Sequence, residues 1–319
     1  MQCVNRRTFI TAAAAAAVSS QTAFAAIPII DTHIHLYDPS RPGGVPWPPK
    51  TNTLIYKTTL PSRFREVTKG LGVVGALEVE CSPWLEDNQW VLDVAAKDPI
   101  IVGMVGNLEP EKPDFRKHLE RFAKNPLYRG IRYGYLWDRN PRQALQKPEF
   151  VRGLRDLAAA NLVLDTANPS LDLLEDVIAI SDKVPELRVV IDHLPALYPP
   201  TEASARKRYD SSLRELHRRP NVYAKLSATL RMNEGKKVSY ELKAHKSRLD
   251  LLYETFGPDR VLYGSDWPNS DPSAPYTAVL RVMQEYFRGK SPDEAEKYFW
   301  RNSVKVYRWV RRDESQPRA

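Results

Sequence analysis

Eight short runs of apolar and β-branched residues recur along this chain, separated by amphipathic stretches. The runs are Ile27 to His35, Val73 to Cys81, Ile100 to Leu108, Gly130 to Tyr133, Leu162 to Ala167, Arg188 to His193, Asn221 to Ser227 and Arg260 to Asp266. Each is nearly continuously apolar rather than alternating, which is the pattern of a strand covered on both faces. The stretches between them repeat apolar residues at helical spacing, as in Phe115, Leu119 and Phe122, or Leu249, Leu252, Tyr253 and Phe256. Ser82-Pro83 is expected to cap a helix that carries Leu85, Trp90, Val91, Val94 and Ala95 and stops before Pro99. Pro113 opens the next helix. Ser291-Pro292-Asp293-Glu294 reads as a capping box that starts a terminal helix with Tyr298, Phe299, Val306 and Tyr307.

Eight such alternations predict a single-domain (β/α)8 TIM barrel, a fold of about 250 residues before insertions. The 319 residues supply enough core for one domain of that size. A doubly wound sheet is the competing architecture, but it rarely uses eight parallel strands, and no Gly-rich phosphate loop follows the first run.

Residues 1–25 are expected to be an export signal rather than part of the barrel. Asn5-Arg6-Arg7-Thr8-Phe9-Ile10 has twin-arginine character, an Ala-rich run follows, and Ala23-Phe24-Ala25 is an A-x-A cleavage site. The apolar run is too short for a stable membrane span. The reading places the mature chain, 26–319, in the periplasm or outside the cell. Loss of Arg6 and Arg7 lowers the formal charge from +8 to +6. The remaining basic residues form only short clusters such as Arg206-Lys207-Arg208, so no nucleic-acid partner is expected. A small-molecule substrate, anionic or sugar-derived, suits this charge. No oligomeric state is specified. Cys3 lies in the signal, so Cys81 is the one mature cysteine, which excludes an intrachain disulfide and a Cys-rich zinc site.

Between His35 and about residue 62 the chain is Pro-rich and irregular, with Tyr37, Trp47 and Tyr56 along it. Loops of that length are usually functional or disordered, and three aromatics argue against disorder. This segment, about 36–62, is expected to form a lid over the barrel mouth.

In a barrel, reactive side chains collect at the C-terminal ends of the strands. Asp31-Thr32-His33-Ile34-His35 ends the first run. Alternation in a strand would point Asp31, His33 and His35 the same way, with two imidazoles able to hold a metal ion or polarise a water. Glu80 ends the second run, Arg132 the fourth, Asp192-His193 the sixth and Ser265-Asp266 the eighth, while Asp165 lies on the fifth. Three of the six histidines of the chain lie at this face. Lys225 shares the parity of Ser227 and can face inward. Arg132 is a candidate clamp for a carboxylate or carbonyl, or else one half of a structural ion pair. Tyr37, Trp47, Trp84, Tyr133, Tyr135, Trp137 and Trp267 lie in loops after strands and suit an aromatic rim for a planar or sugar-like ring, with Trp47, Tyr133 and Trp267 as the candidate substrate contacts and loop packing as the alternative role.

The pieces Asp31 to His35, Tyr128-Arg129-Gly130-Ile131-Arg132, Arg188 to Leu194, Asn221 to Ser227, Arg260 to Pro268 and Asn302 to Tyr307 together resemble the amidohydrolase superfamily. The resemblance is to its amidohydrolase-related branch, which includes sugar lactonases and 2-pyrone-4,6-dicarboxylate lactonase. It spans the mature chain and rests on the order and spacing of the pieces. It implies that His33, His35 and Asp266 surround the reacting water, with a divalent metal in some members, and that His193 faces the substrate carbonyl. Metal-binding members add a His, Lys or Glu from the fourth or fifth strand, where this chain has Asp165 and Asn168. A single zinc held by His33, His35 and Asp266, with Glu80 or His193 as a fourth ligand, meets the usual donor count; a metal-free centre is the alternative. The implied activity is an exported hydrolase that opens a lactone with a water activated by Asp266. A metal-dependent decarboxylase or other lyase on the same barrel, and a silent binding protein, are the competing readings.

Overall fold

All eight runs become parallel strands of one sheet, in the order β1 to β8: Ile29–Ile34, Val73–Val79, Ile101–Gly106, Tyr128–Arg132, Val163–Asp165, Val189–Ile191, Val222–Lys225 and Val261–Leu262. The computed structural model describes residues 27–194, 199–231 and 238–318, so the expected export signal lies outside the described residues. The sheet closes on itself. Thr32 N–H donates to Tyr263 O at 3.0 Å, Asp266 N–H to His33 O at 2.9 Å and His35 N–H to Trp267 O at 2.8 Å, and Ile34 bridges Trp267 in parallel. The predicted barrel is therefore the observed fold, and helices between the strands cover its outside.

Two apolar layers result. Outward strand residues such as Ile29, Ile34, Met104 and Ile131 pack against Leu92, Phe122, Leu154, Val177 and Phe287 of the helices. Inward residues Ile30, Leu77, Val102, Val163, Val190 and Leu262 fill the lower half of the barrel, together with Val306 and Tyr307 from the C-terminal helix. β1 carries a register irregularity between Asp31 and Ile34. This break corrects the expected alternation. Ile29 lies in the outer layer and Ile30 in the inner one, yet after the irregularity Ile34 is outward and His33 and His35 face in. Asp31 consequently leaves the imidazoles and turns to Ser265 N and the Tyr276 hydroxyl, at 2.9 and 3.0 Å.

Helix starts differ from expectation in two places: the helix expected to open at Pro113 begins at Phe115, after a turn through Pro113 and Asp114. The helix after β2 begins at Asp87, not at Ser82-Pro83, and ends at Ala96. Ser82 instead organises the turn before it: its N–H donates to Glu80 Oε2 and its Oγ accepts from Trp84 N–H. The capping box at Ser291 and Glu294 is present. The terminal helix that follows is interrupted by a π turn at Lys297–Arg301 before it resumes at Asn302–Tyr307. A π turn releases a backbone group from the regular ladder, and here the Tyr298 carbonyl accepts from Tyr263 N–H just past β8. Among the described residues, no helix is long and apolar enough to cross a membrane.

The Pro-rich segment is tied down at both ends. Tyr37 and Thr59 form an antiparallel bridge, and the Tyr37 hydroxyl donates to Ile55 O at 2.7 Å. Arg41 anchors the middle, with Nη2 2.6 Å from Asp87 Oδ2 and its guanidinium 4.6 Å from the Trp90 ring. This brings Trp47 against His35, ring centroids 5.6 Å apart.

Candidate active site

β1 delivers His33 and His35 to the barrel mouth, and the turns after β6 and β8 deliver His193 and Asp266. Both latter residues adopt positive φ, 64° and 63°. Left-handed backbone costs free energy outside glycine and concentrates at functional sites. Here it turns each side chain back toward the barrel axis.

Asp266 Oδ1 is the centre of the group. It lies 3.4 Å from His35 Nε2, 3.7 Å from His33 Nε2 and 3.8 Å from His193 Nε2. Asn269 Nδ2 donates to the other oxygen at 3.0 Å. Burial opposes ionisation of Asp266, but His193, His35 and His33 outweigh it and hold the carboxyl well below the usual range. Burial lowers His193 to about 4, despite the attraction of Asp266 and Asp192, so its imidazole is neutral near pH 7. Burial likewise lowers His33, against the pull of Asp192.

The outer contacts orient these rings. His35 Nδ1 lies 2.7 Å from Val79 O, so it carries the proton and Nε2 keeps a lone pair. His193 Nδ1 meets Ser227 Oγ at 2.9 Å. His33 Nδ1 faces Asp192 Oδ1 at 3.5 Å and Lys225 Nζ at 3.4 Å. Lys225, whose position the sequence left open, is fully buried and bridges Asp192 at 2.9 Å and Asp165 at 2.6 Å. Asp165 also accepts from the Tyr307 hydroxyl. Parity was the only sequence signal for Lys225, and nothing local identified its partners.

His33, His35 and Asp266 place three ligand atoms within 4.8 Å of one another. His33 Nε2 and Asp266 Oδ1 are buried and have no hydrogen-bond partner. Unpaired buried donors and acceptors are costly, and one imidazole lone pair beside a carboxylate oxygen suits a divalent cation such as zinc. The donor set therefore fits a metal. Asp31 is not in the group. Neither is Glu80: its Oε2 accepts from Ser82 N–H and Trp137 Nε1–H, although Oε1 has no partner.

A pocket of about 150 Å³ opens onto this centre, lined by His35, Trp47, Arg132, Trp137, His193 and Asp266 among others. Arg132 is committed to a buried ion pair as well, with Nε 3.0 Å from Asp192 Oδ2, and it donates to Thr166 O and Glu80 O. Trp47 borders the pocket as expected of a substrate contact. Tyr133 and Trp267 do not. Tyr133 packs on Phe150 and donates to Glu111, and Trp267 is wholly buried between Phe64 and the Arg63 guanidinium. Trp137 takes a rim position, as expected of an aromatic in a loop after a strand.

The amidohydrolase family model matches residues 30–309. An L-fucono-1,5-lactonase from Burkholderia ambifaria is 28% identical over 283 residues, 88% of this chain and 95% of that protein. Among solved structures, an amidohydrolase from Burkholderia multivorans with bound zinc superposes with a TM-score of 0.77 at 22% identity, over 89% of this chain and 100% of that one. A probable 2-pyrone-4,6-dicarboxylic acid hydrolase from Acinetobacter baumannii, crystallised with citric acid, gives 0.69 at 17% identity, over 88% and 98%. At these identities the two structures establish the shared fold.

Proposed function

The chain belongs to the amidohydrolase family, and from that premise we propose that it is an exported lactonase that hydrolyses the ring ester of a sugar-derived or related small lactone. The observation that carries this reading is the convergence of three imidazole Nε2 atoms on one ionised carboxylate oxygen, Asp266 Oδ1, at the floor of a pocket. The similarity to an L-fucono-1,5-lactonase over most of both chains supports the choice of a lactone. The expected signal at residues 1–25 supports export.

His33, His35 and Asp266 would hold one divalent metal, zinc by donor type, with His193 beside them. When bound, the ion supplies Lewis acidity and lowers the pKa of water. Asp266 Oδ1 accepts the proton of the attacking water. The water oxygen bonds to the acyl carbon, the ring C–O bond breaks, and the proton held at Asp266 passes to the departing ring oxygen. The product is the open hydroxy acid. His193, neutral and receiving Ser227 Oγ–H at Nδ1, carries its proton on Nε2 and donates to the developing oxyanion. Lys225 and Asp192 hold His33 in place from below. Trp47 and Trp137 flank the ring, and the Arg132 guanidinium adds positive potential to the wall.

Metal analysis of purified protein and a panel of lactones test the proposal together. Acid release from a lactone, lost in a folded Asp266→Asn, is the expected result. Carbon dioxide release from an aromatic acid in place of lactone opening would move the assignment to a decarboxylase.

A further inference from the structure

The support beneath the reaction centre comes from the far end of the chain. Val306 and Tyr307, the last residues of the helix Asn302–Tyr307, pack with the inward strand residues Ile30, Val163 and Leu262. The helix end is pinned there. Arg188 Nε donates to Val306 O at 2.9 Å, and Arg308 takes a left-handed conformation, φ 51°, that stops the helix directly after Tyr307. Tyr307 is buried and is not among the residues that line the reaction pocket. Its hydroxyl donates to Asp165, 2.8 Å from Oδ2 and 3.0 Å from Oδ1. Asp165 Oδ2 also accepts from Lys225 Nζ at 2.6 Å, and that ammonium lies 5.4 Å from the Tyr307 ring centroid. From Lys225 the contacts continue to Asp192 Oδ1 at 2.9 Å and His33 Nδ1 at 3.4 Å. Two side chains therefore separate the Tyr307 hydroxyl from the imidazole that faces Asp266.

We propose that Tyr307 is a positioning residue for the reaction centre: its hydroxyl, acting through Asp165 and Lys225, holds the His33 imidazole where it can share a divalent metal with His35 and Asp266. The inference rests on the lactonase reading for its kinetic consequence alone. An ammonium has three N–H donors. Asp165 and Asp192 take two of them, and the third is left for the side that faces His33. Tyr307 meets part of the acceptor capacity of Asp165. Without that hydroxyl a buried carboxylate oxygen would lack a donor, a costly condition. Lys225, the nearest donor, would then be drawn onto Asp165 and away from His33. The partners behind a metal-binding imidazole set its orientation, and their loss costs about 10–100-fold in metal affinity or activity.

Tyr307→Phe isolates the hydroxyl, because the ring keeps its packing and its place beside Lys225. Zinc affinity, read by competition with a chromophoric chelator, is expected to fall about tenfold in this variant. In an Asp165→Asn background the same substitution should change it by less than about twofold, because the link through Asp165 is already cut. At saturating zinc, kcat on a lactone is expected to fall about tenfold with KM unchanged, since the hydroxyl lies outside the pocket. A third measurement needs neither metal nor substrate. In protein labelled with nitrogen-15 histidine, the His33 ring signals are expected to move in Tyr307→Phe, while those of His118, His217 and His245 stay. A folded Tyr307→Phe that matches the wild type in zinc affinity, kcat and His33 signals would overturn the inference, whatever its thermal stability. Equal zinc losses from Tyr307→Phe with and without Asp165→Asn would overturn it too, since the effect would bypass Asp165. A wild type that opens no lactone removes the lactonase reading and leaves zinc affinity to decide; one that takes no zinc leaves the His33 signals to decide. If Tyr307→Phe does not fold, Asp165→Asn breaks the same link from the other side and is expected to move the same His33 signals. Unmoved signals there would overturn the inference.

Discussion

Lys225 Nζ lies 3.4 Å from His33 Nδ1, although the residues are 192 positions apart in the chain. Both side chains are fully buried, and Lys225 also neutralises Asp165 and Asp192. An aliphatic replacement would leave two carboxylates in the barrel without their shared cation. Lys225→Met is expected to lose about 3–5 kcal/mol of stability, measured by urea unfolding. Adding Asp165→Asn should recover part of that loss, because it removes one stranded charge. A Lys225→Met protein as stable as the wild type would contradict this account of the cluster.

Asp266 accepts the water proton, so Asp266→Asn is expected to lower kcat by about 10²–10⁴-fold with the barrel intact by circular dichroism. Retained turnover would place the base elsewhere.

His193→Ala removes a donor aimed at the oxyanion rather than a substrate anchor. A fall of about 10²–10³ in kcat with little change in KM is expected. A change confined to KM would make His193 a binding group only.

Chelation is expected to slow the reaction and added zinc to restore it, and His35→Ala should lower the zinc content of the purified protein. Elemental analysis reads the second effect without any assay. Full activity in a demonstrably metal-free sample would sink the zinc proposal while leaving the lactonase reading in place.

Burial raises Asp31 to about 6, against the hydrogen bonds from Ser265, His33 and Tyr276 that pull it down. The folded state therefore holds this proton more tightly than the unfolded chain. The stability it contributes is complete below about pH 4 and is lost as pH rises through 6. Relative to Asp31→Asn, the wild type should lose on the order of 3 kcal/mol between pH 4 and pH 7. Denaturant melts of both proteins across that range check it, and a constant difference between them would refute the assignment.

Much of the frame was legible because it depends on local periodicity. Runs such as Val73 to Cys81 and Arg188 to His193 carry the continuous apolar pattern of a strand covered on both faces, and all eight became strands of the barrel. The capping box at Ser291 was readable for the same reason, since both partners lie within four residues. The start of the helix after β2, at Asp87, does not follow from local composition. Ser82-Pro83 has the composition of a helix N-terminus, but Glu80, Trp84 and Asn107 draw Ser82 into a turn.

At the site, the residue types and strand ends were visible in the sequence, while their grouping was not. Alternation alone put Asp31 beside His33 and His35; the irregularity in β1 moved it to the opposite face, where Tyr276 from a distant helix receives it. Tyr133 and Trp267 sit at the right strand ends but are drawn into the packing around Phe150 and Phe64. The sequence by itself determined which residues end the strands, because backbone hydrogen bonding and apolar periodicity act over a few residues. Only the closed barrel decided that His33, His35 and His193 converge on one oxygen of Asp266 and that Lys225 supports them. Those relations join His33 to Lys225, 192 positions away, and to Asp266, further still along the chain. They depend on sheet closure, strand register and the turn geometry at each strand end, to within a few tenths of an ångström.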